Sequence, residues 1–193
     1  MNFYLIIGPQ AVGKMTVGQE LARYTGAKLF YNHMTIDLVD NFFNYSTPQG
    51  RQLVKDYRDL LFKAVLSSDD YPGFIFTYVC DFETSDGLAY VYDTCKAFEA
   101  VGHTAYIIEL NSDYETRKRR NVTENRMLHK RLKQNIPSST RLFEQFERGG
   151  RTKSLDGEIE WPRYLRVDNT DLSPESVVKV IVSSFSLGDN TTG

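Results

Sequence analysis

A three-layer α/β/α domain built on five parallel strands is the fold this chain predicts, on three observations. Apolar strand-like runs alternate with helical patterns from end to end, and such alternation builds a parallel sheet through right-handed crossovers. The first run, Phe3–Ile7, is apolar at every position, as a central strand covered on both faces requires. The length, 193 residues, suits one such domain with its own core.

The elements follow in order. After Phe3–Ile7 a glycine-containing turn leads to a helix with Val17, Leu21 and Tyr24 at helical spacing, stopped by Gly26. Lys28–Tyr31 reads as a second, short strand. Helical patterns cover Thr35–Asn44 and Pro48–Ser67, the latter with Leu53, Tyr57, Leu60, Leu61 and Val65 as its expected apolar stripe. Gly73–Val79 is the strongest β-former in the chain. Ser85–Val101 reads as a helix ended by Gly102, and His103–Leu110 as the fourth strand. Asp113 is placed to cap a basic helix running towards Asn121, and a polar, basic stretch continues to about Ser154. Tyr164–Val167 is the last strand, and Ser173-Pro174 caps and opens a final helix. The single domain is expected to span residues 1–187, with 188–193 as a flexible tail.

Bulk numbers narrow the function classes. A formal net charge of −2 argues against a general nucleic-acid binder, which carries a basic excess. Cys80 and Cys95 cannot build a disulfide framework and have no metal-ligand spacing, so they read as buried thiols in a reducing compartment, the cytoplasm. The N-terminal apolar run is too short for a signal-peptide core or a membrane span. Neither nucleic acid nor membrane is therefore expected as a partner.

The sharpest motif is Gly8-Pro9-Gln10-Ala11-Val12-Gly13-Lys14-Met15-Thr16, a G-x-x-x-x-G-K spacing directly between a strand and a helix. The glycines let backbone N–H groups converge on phosphate oxygens, and the helix N-terminus adds positive potential. Lys14 reaches the β- and γ-phosphates. A nucleotide, ATP, is the expected cofactor, bound by Gly8, Pro9, Ala11, Val12, Gly13, Lys14, Met15 and Thr16. One position departs from the pattern: Met15 stands where Ser or Thr normally offers a hydroxyl to Mg²⁺, and Thr16 follows it. Mg²⁺ keeps several waters, so phosphates, water and a carboxylate can hold it; Thr16 and Asp81 are the candidates in this chain.

With Val17-Gly18-Gln19-Glu20-Leu21-Ala22, Leu29-Phe30-Tyr31-Asn32-His33 and Val167-Asp168-Asn169-Thr170, that loop resembles small P-loop kinases of the adenylate kinase and shikimate kinase superfamily. The nearest group is a set of bacterial ATP-binding proteins often labelled AAA-type ATPase or shikimate-kinase-like. The chain is too short for the second helical domain and sensor motifs of a true AAA machine. The resemblance implies an acceptor-binding segment at about 32–68 and a mobile basic lid at about 114–155 that closes on ATP. It also implies that the segment at Asn169 contacts adenine, although Asp168-Asn169-Thr170 would equally form an Asx turn.

On that resemblance Asn32, His33 and Asp37 fall where such kinases place acceptor-binding or catalytic groups, with Asp37 as the candidate base. A turn cap, a structural histidine and a solvated first-turn carboxylate are the bland readings of the same three. Asp81 and Glu83 follow the strongest strand, where a carboxylate could support Mg²⁺ or hold the acceptor. Shikimate kinases carry a glycine pair there; Val79-Cys80-Asp81 does not, which argues against shikimate, and Gly149-Gly150 is too distant in sequence to substitute. Arg51 and Arg58, two turns apart, share a helix face and either meet an anionic acceptor group or are solvated. From Arg117 to Lys133 eight basic residues face one acidic, a local charge of +7. Arg117, Arg120 and Arg126 are the candidates to stabilise a transferring phosphoryl group, against a merely solvated basic helix.

The expected function is an ATP-dependent phosphotransferase acting on a small hydroxyl- or phosphate-bearing molecule. The alternative is a nucleotide-binding regulator or slow NTPase without an acceptor, for which Met15 would mark lost transfer.

Overall fold

The computed structural model describes residues 1–68, 70–123 and 136–187. Five parallel strands form one sheet: β1 (Asn2–Ile7), β2 (Lys28–Tyr31), β3 (Gly73–Thr77), β4 (Thr104–Asn111) and β5 (Tyr164–Asp168), in the order β2-β3-β1-β4-β5. The uniformly apolar β1 takes the centre, where both faces are covered. Leu5 pairs with Phe76 on one side and Ile107 on the other.

The pleat divides β1 between two cores. Phe3, Leu5 and Ile7 point to the face covered by α3 (Pro48–Leu66) and α4 (Ser85–Ala100). Tyr4 and Ile6 point to the face covered by α1 (Lys14–Thr25) and α7 (Pro174–Phe185). The expected three-layer architecture is the observed one. The first core is aromatic: the Phe3 and Phe98 rings stack with centroids 3.8 Å apart, and Phe62 meets Phe30, Phe74 and Phe76 edge-on. Cys80 and Cys95 are free and buried in it, and burial pushes both thiols up, that of Cys80 to about 12.

The sequence cues work at the helix ends. Gly26 adopts a left-handed conformation (φ 72°) and closes α1, while Thr47, Asp113 and Ser173 each accept a backbone N–H as N-caps. α2 is shorter than expected, spanning His33–Val39. The predicted stripe on α3 is rotated: Val54, Arg58, Phe62 and Val65 face inwards, whereas Tyr57 and Leu60 are exposed. A charged residue in the middle of the buried face breaks the pattern that hydrophobic spacing detects.

The basic stretch after β4 also holds more structure than its composition suggests. α5 (Tyr114–Arg120) packs against α6 (Ile136–Arg148), a helix absent from the sequence expectation. Ser139, Phe143 and Glu147, spaced by four, form its contact face. Asn121 donates to Ser139 Oγ at 3.3 Å, the Tyr114 ring lies 5.6 Å from that of Phe143, and Arg117 grips Glu147. Arg126 and residues 188–193 lie outside the described residues. No helix among the described residues is long and apolar enough to cross a membrane.

Phe98→Ala should cost about 3–5 kcal/mol of stability in urea unfolding, since it empties a stacked core site. Leu60→Ala, 66% exposed, should stay within ~0.5 kcal/mol.

Candidate functional site

The loop between β1 and α1 is shaped by backbone constraints. Gly8 sits at φ 134°, and a Cβ there would lie 2.3 Å from the Leu110 carbonyl oxygen, so only glycine lets the loop leave the sheet beside β4. Gly13 (φ 107°) and Ala11 (φ 58°) are also left-handed. α1 opens with neither a capping side chain nor an acidic residue in its first turn, leaving its N-terminal N–H groups and positive field for an outside anion. Lys14 Nζ donates to the carbonyls of Gly8 and Pro9 at 2.6 and 2.7 Å, which folds the ammonium back over the loop.

A cavity of about 820 Å³ runs from this loop to the start of α2 and the end of β3. Ala11, Val12, Gly13, Lys14, Met15 and Thr16 line one end. Gly8 and Pro9 shape the loop from behind without lining it. Asn32, His33, Arg58 and Asp81 line the other end, joined by Tyr45 and Tyr78. Asp37 and Arg117 do not line it.

The placement of each candidate has a local cause. The Asn32 N–H donates to Thr77 Oγ1 at 3.2 Å, tying the end of β2 to β3. His33 and Asp37 are one turn apart on α2, with His33 Nδ1 3.6 Å from Asp37 Oδ1, so the expected base approaches the cavity only through His33. Asp81 Oδ1 accepts the Glu83 N–H at 2.9 Å in a turn that keeps the carboxylate exposed. Arg58 is not solvated: its guanidinium is buried, donating to Thr35 Oγ1 at 3.1 Å and to Asn32 Oδ1. Arg51 is exposed and donates to the Ser46 carbonyl.

The lid candidates divide. Arg117 is buried, bound by both oxygens of Glu147 at 2.5 Å, with its guanidinium 5.6 Å from the Phe143 ring centre. This pairing fastens α6 to α5 and offsets part of the local positive charge. Arg120 lines the cavity and gathers carbonyls from two segments: Val12 at 3.2 Å, Asn169 at 2.8 Å and Thr170 at 3.2 Å. Asn169 Nδ2 also donates to the Val12 carbonyl at 2.9 Å, so residue 169 braces the phosphate loop. Asp168 does form the Asx turn, accepting the Thr170 N–H at 2.9 Å.

Sequence distance misled in one case. Gly149 and Gly150 line the same cavity as Asp81, and a Cβ on Gly150 would lie 3.8 Å from Asp81 Oδ1. The chain therefore does bring a glycine pair to the end of β3, from a remote loop. Arg151 secures that loop: its carbonyl accepts the Phe82 N–H at 2.9 Å, and its guanidinium donates to the Phe82 carbonyl at 2.8 Å and to both carboxylate oxygens of Glu158 at 2.5 and 2.7 Å, packing against the Phe82 ring. Below it the fully buried Glu109 accepts the Ser154 N–H at 2.9 Å and the Ser154 and Tyr164 hydroxyls at 2.5 Å.

The magnesium donor set is sparse. Thr16 and Asp81 both line the cavity and offer hard oxygen donors, whereas Met15 has none. No cluster of three or more His, Cys, Asp or Glu side chains among the described residues could hold a metal by itself.

No protein-family model matches the chain, and no curated protein sequence matches it. Solved structures do. A provisionally assigned kinase from Chloroflexus aurantiacus is similar over 97% of each chain, with a TM-score of 0.64 and 14% identity. A gluconokinase from Sinorhizobium meliloti covers 96% of this chain and 91% of its own, with a TM-score of 0.61 and 13% identity. Shikimate kinase from Acinetobacter baumannii covers 96% and 94%, with a TM-score of 0.53 and 12% identity. The chain shares its three-layer α/β/α fold with these kinases.

Arg151, with the Leu155 N–H, holds the Glu158 carboxyl at about 2, below its ordinary 4.5. A depressed acid stabilises the fold above its unfolded value and loses that contribution as pH falls towards the folded one. Glu158→Gln should therefore lower the urea midpoint at pH 7, and the gap to the parent should close between about pH 4.5 and pH 2. A constant gap across that range would disprove the coupling.

Proposed function

We propose that this chain is an ATP-dependent phosphotransferase acting on a small hydroxyl- or phosphate-bearing molecule. One observation carries the reading: a continuous cavity joins the phosphate-binding loop to a second set of polar groups at the start of α2 and the end of β3. A nucleotide binder without an acceptor has no use for that second half. The shared fold with kinases supports the same reading.

ATP phosphates lie on the loop N–H groups of residues 11–16, and Lys14 turns from its carbonyl partners to the β- and γ-phosphates. The acceptor oxygen attacks the γ-phosphorus; a new P–O bond forms, the bond to the β–γ bridging oxygen breaks, and ADP leaves. Where the acceptor is a hydroxyl, its proton passes to His33, which lines the cavity, and Asp37 orients the imidazole and stabilises its charged form. Asp37 is thus a positioning residue in this scheme, and His33 takes the role first expected of it.

Thr16 and Asp81, through water, are the residues that would hold Mg²⁺, which would supply positive charge to the transferring phosphoryl group. Arg120 lies in the cavity wall next to the loop, and Arg126 remains a candidate from its place in the basic run. Arg117 contributes by holding α6 through Glu147. Asn169 supports the nucleotide end from behind Val12. A cytoplasmic location, with ATP at hand and thiols reduced, agrees with two buried free cysteines.

ADP release from Mg-ATP, measured across nucleosides, nucleotides, sugar acids and hydroxylated antibiotics, should rise with one acceptor class and fall about 10²–10³-fold in Lys14→Ala. His33→Gln should lower kcat by about 10²-fold or more, and Asp37→Asn by less, with ATP-analogue binding unchanged in both. ATP binding with no acceptor-dependent turnover across the panel would favour the nucleotide-binding regulator instead.

A further inference from the structure

One wall of the cavity belongs neither to the phosphate loop nor to the acceptor half. Arg120, Asn169, Leu172 and Pro174 line it, together with Leu142 of α6 and Thr123. Arg120 and Asn169 both bond the Val12 carbonyl, so this wall adjoins the seat of the phosphates and is the place for the base of a nucleotide.

The polar groups of this wall are engaged with one another. Asn169 Nδ2 donates to the Val12 carbonyl at 2.9 Å, and Asn169 Oδ1 accepts from Arg120 at 3.4 Å. The Asn169 N–H donates to the Asn111 carbonyl at 2.8 Å. The Asn169 carbonyl accepts twice, from Arg120 at 2.8 Å and from the Leu172 N–H at 3.4 Å, which fills both of its lone pairs. Arg120 in turn directs its two terminal nitrogens at the carbonyls of Val12, Asn169 and Thr170. The Thr123 hydroxyl donates to the Arg120 carbonyl at 3.1 Å. The side chains that complete the wall, Leu142, Leu172 and Pro174, are apolar, and Pro174 has no N–H to give.

A site rejects a wrong base strongly only when it holds hydrogen-bonding groups that the wrong base leaves unpaired; an apolar wall discriminates weakly. Stacking on apolar side chains and on a guanidinium plane tolerates any base, because every base has a flat face. We propose that the site takes its donor nucleotide by the phosphates and by the face of the base, without reading the base edge. The donor class is then purine nucleoside triphosphates as a group, with guanine and hypoxanthine serving as well as adenine. Asn169 braces the loop and leaves the base unread. This inference rests on the reading of the loop as a nucleotide site, and it holds with or without an acceptor.

Direct binding tests it separately from phosphoryl transfer. Calorimetric titration of the full chain in the presence of Mg²⁺ would use ADP, GDP, IDP, CDP and pyrophosphate as probes. GDP and IDP are expected within about threefold of ADP, and CDP, with its smaller ring, within about tenfold. Pyrophosphate, which has no base, should bind about tenfold to a hundredfold more weakly than ADP. Leu172→Ala, at a position 36% exposed, should weaken all the nucleotides alike by about twofold to fivefold and leave pyrophosphate unchanged. ADP bound more than about tenfold tighter than GDP or IDP would reveal a hydrogen-bonding reader and overturn the proposal. So would pyrophosphate bound as tightly as ADP, or a Leu172→Ala loss confined to one base. Failure of every probe to bind would instead sink the nucleotide-site reading itself.

Discussion

The chain has to leave β1 while squeezed against the end of β4, and the rest of the site depends on that contact. The Leu110 carbonyl occupies the space a Gly8 side chain would need, so the backbone turns at once and cannot drift outwards. Gly13, again left-handed, returns the chain into α1 and aims the N-terminal N–H groups at the space in between. From the other side Asn169 and Arg120 both bond the Val12 carbonyl, clamping the loop to the segment after β5. Phosphate recognition thus rests on backbone fixed by sheet geometry, with Lys14 as a mobile charge held by two carbonyls.

Buried charge is the second organising constraint, because a charge withdrawn from water needs a partner. Glu109 meets the demand with a serine, a tyrosine and Arg166, which lies 3.4 Å away. That cluster fixes Ser154, where the loop that carries the glycine pair ends. Arg117 meets it with Glu147, and the same pair docks α6 on α5. In each case a local electrostatic requirement becomes a tertiary tether. Arg58, with neutral partners in Thr35 and Asn32, lines the cavity.

The strands, the helix caps and the phosphate loop were legible in the sequence because each is written in nearest neighbours: apolar runs, Gly26, Thr47, Asp113, Ser173 and the spacing from Gly8 to Lys14. What escaped was written across the chain. The α3 stripe is misphased because Arg58 sits on the buried face, so hydrophobicity alone counts it as solvent-facing. α6 was missed because two of its three contact residues, Ser139 and Glu147, are polar and acquire their meaning from Asn121 and Arg117. Gly149-Gly150 looked irrelevant at a distance of some seventy residues from Asp81, yet the paired hydrogen bonds between Phe82 and Arg151, one from backbone and one from the guanidinium, close that gap. The spacing of His33 and Asp37, four residues on a helix, was a usable sign of their pairing.

The two halves of the cavity are built with different firmness, and this bears on how the site can work. The nucleotide half hangs on the sheet and on two large cores. The acceptor half hangs on α2 and the first turns of α3, whose own core is only Ile36, Val39 and Val54 with Leu53 alongside. Met34, Leu38, Phe42 and Phe43 of that half remain exposed. A segment with little buried apolar area opens at low free-energy cost, and segments that close on ligands come from that end of the stability range. Arg58 links the weak half to the strong one: its backbone belongs to α3, its hydrogen bonds reach α2, and its guanidinium lies over Phe76 of the sheet.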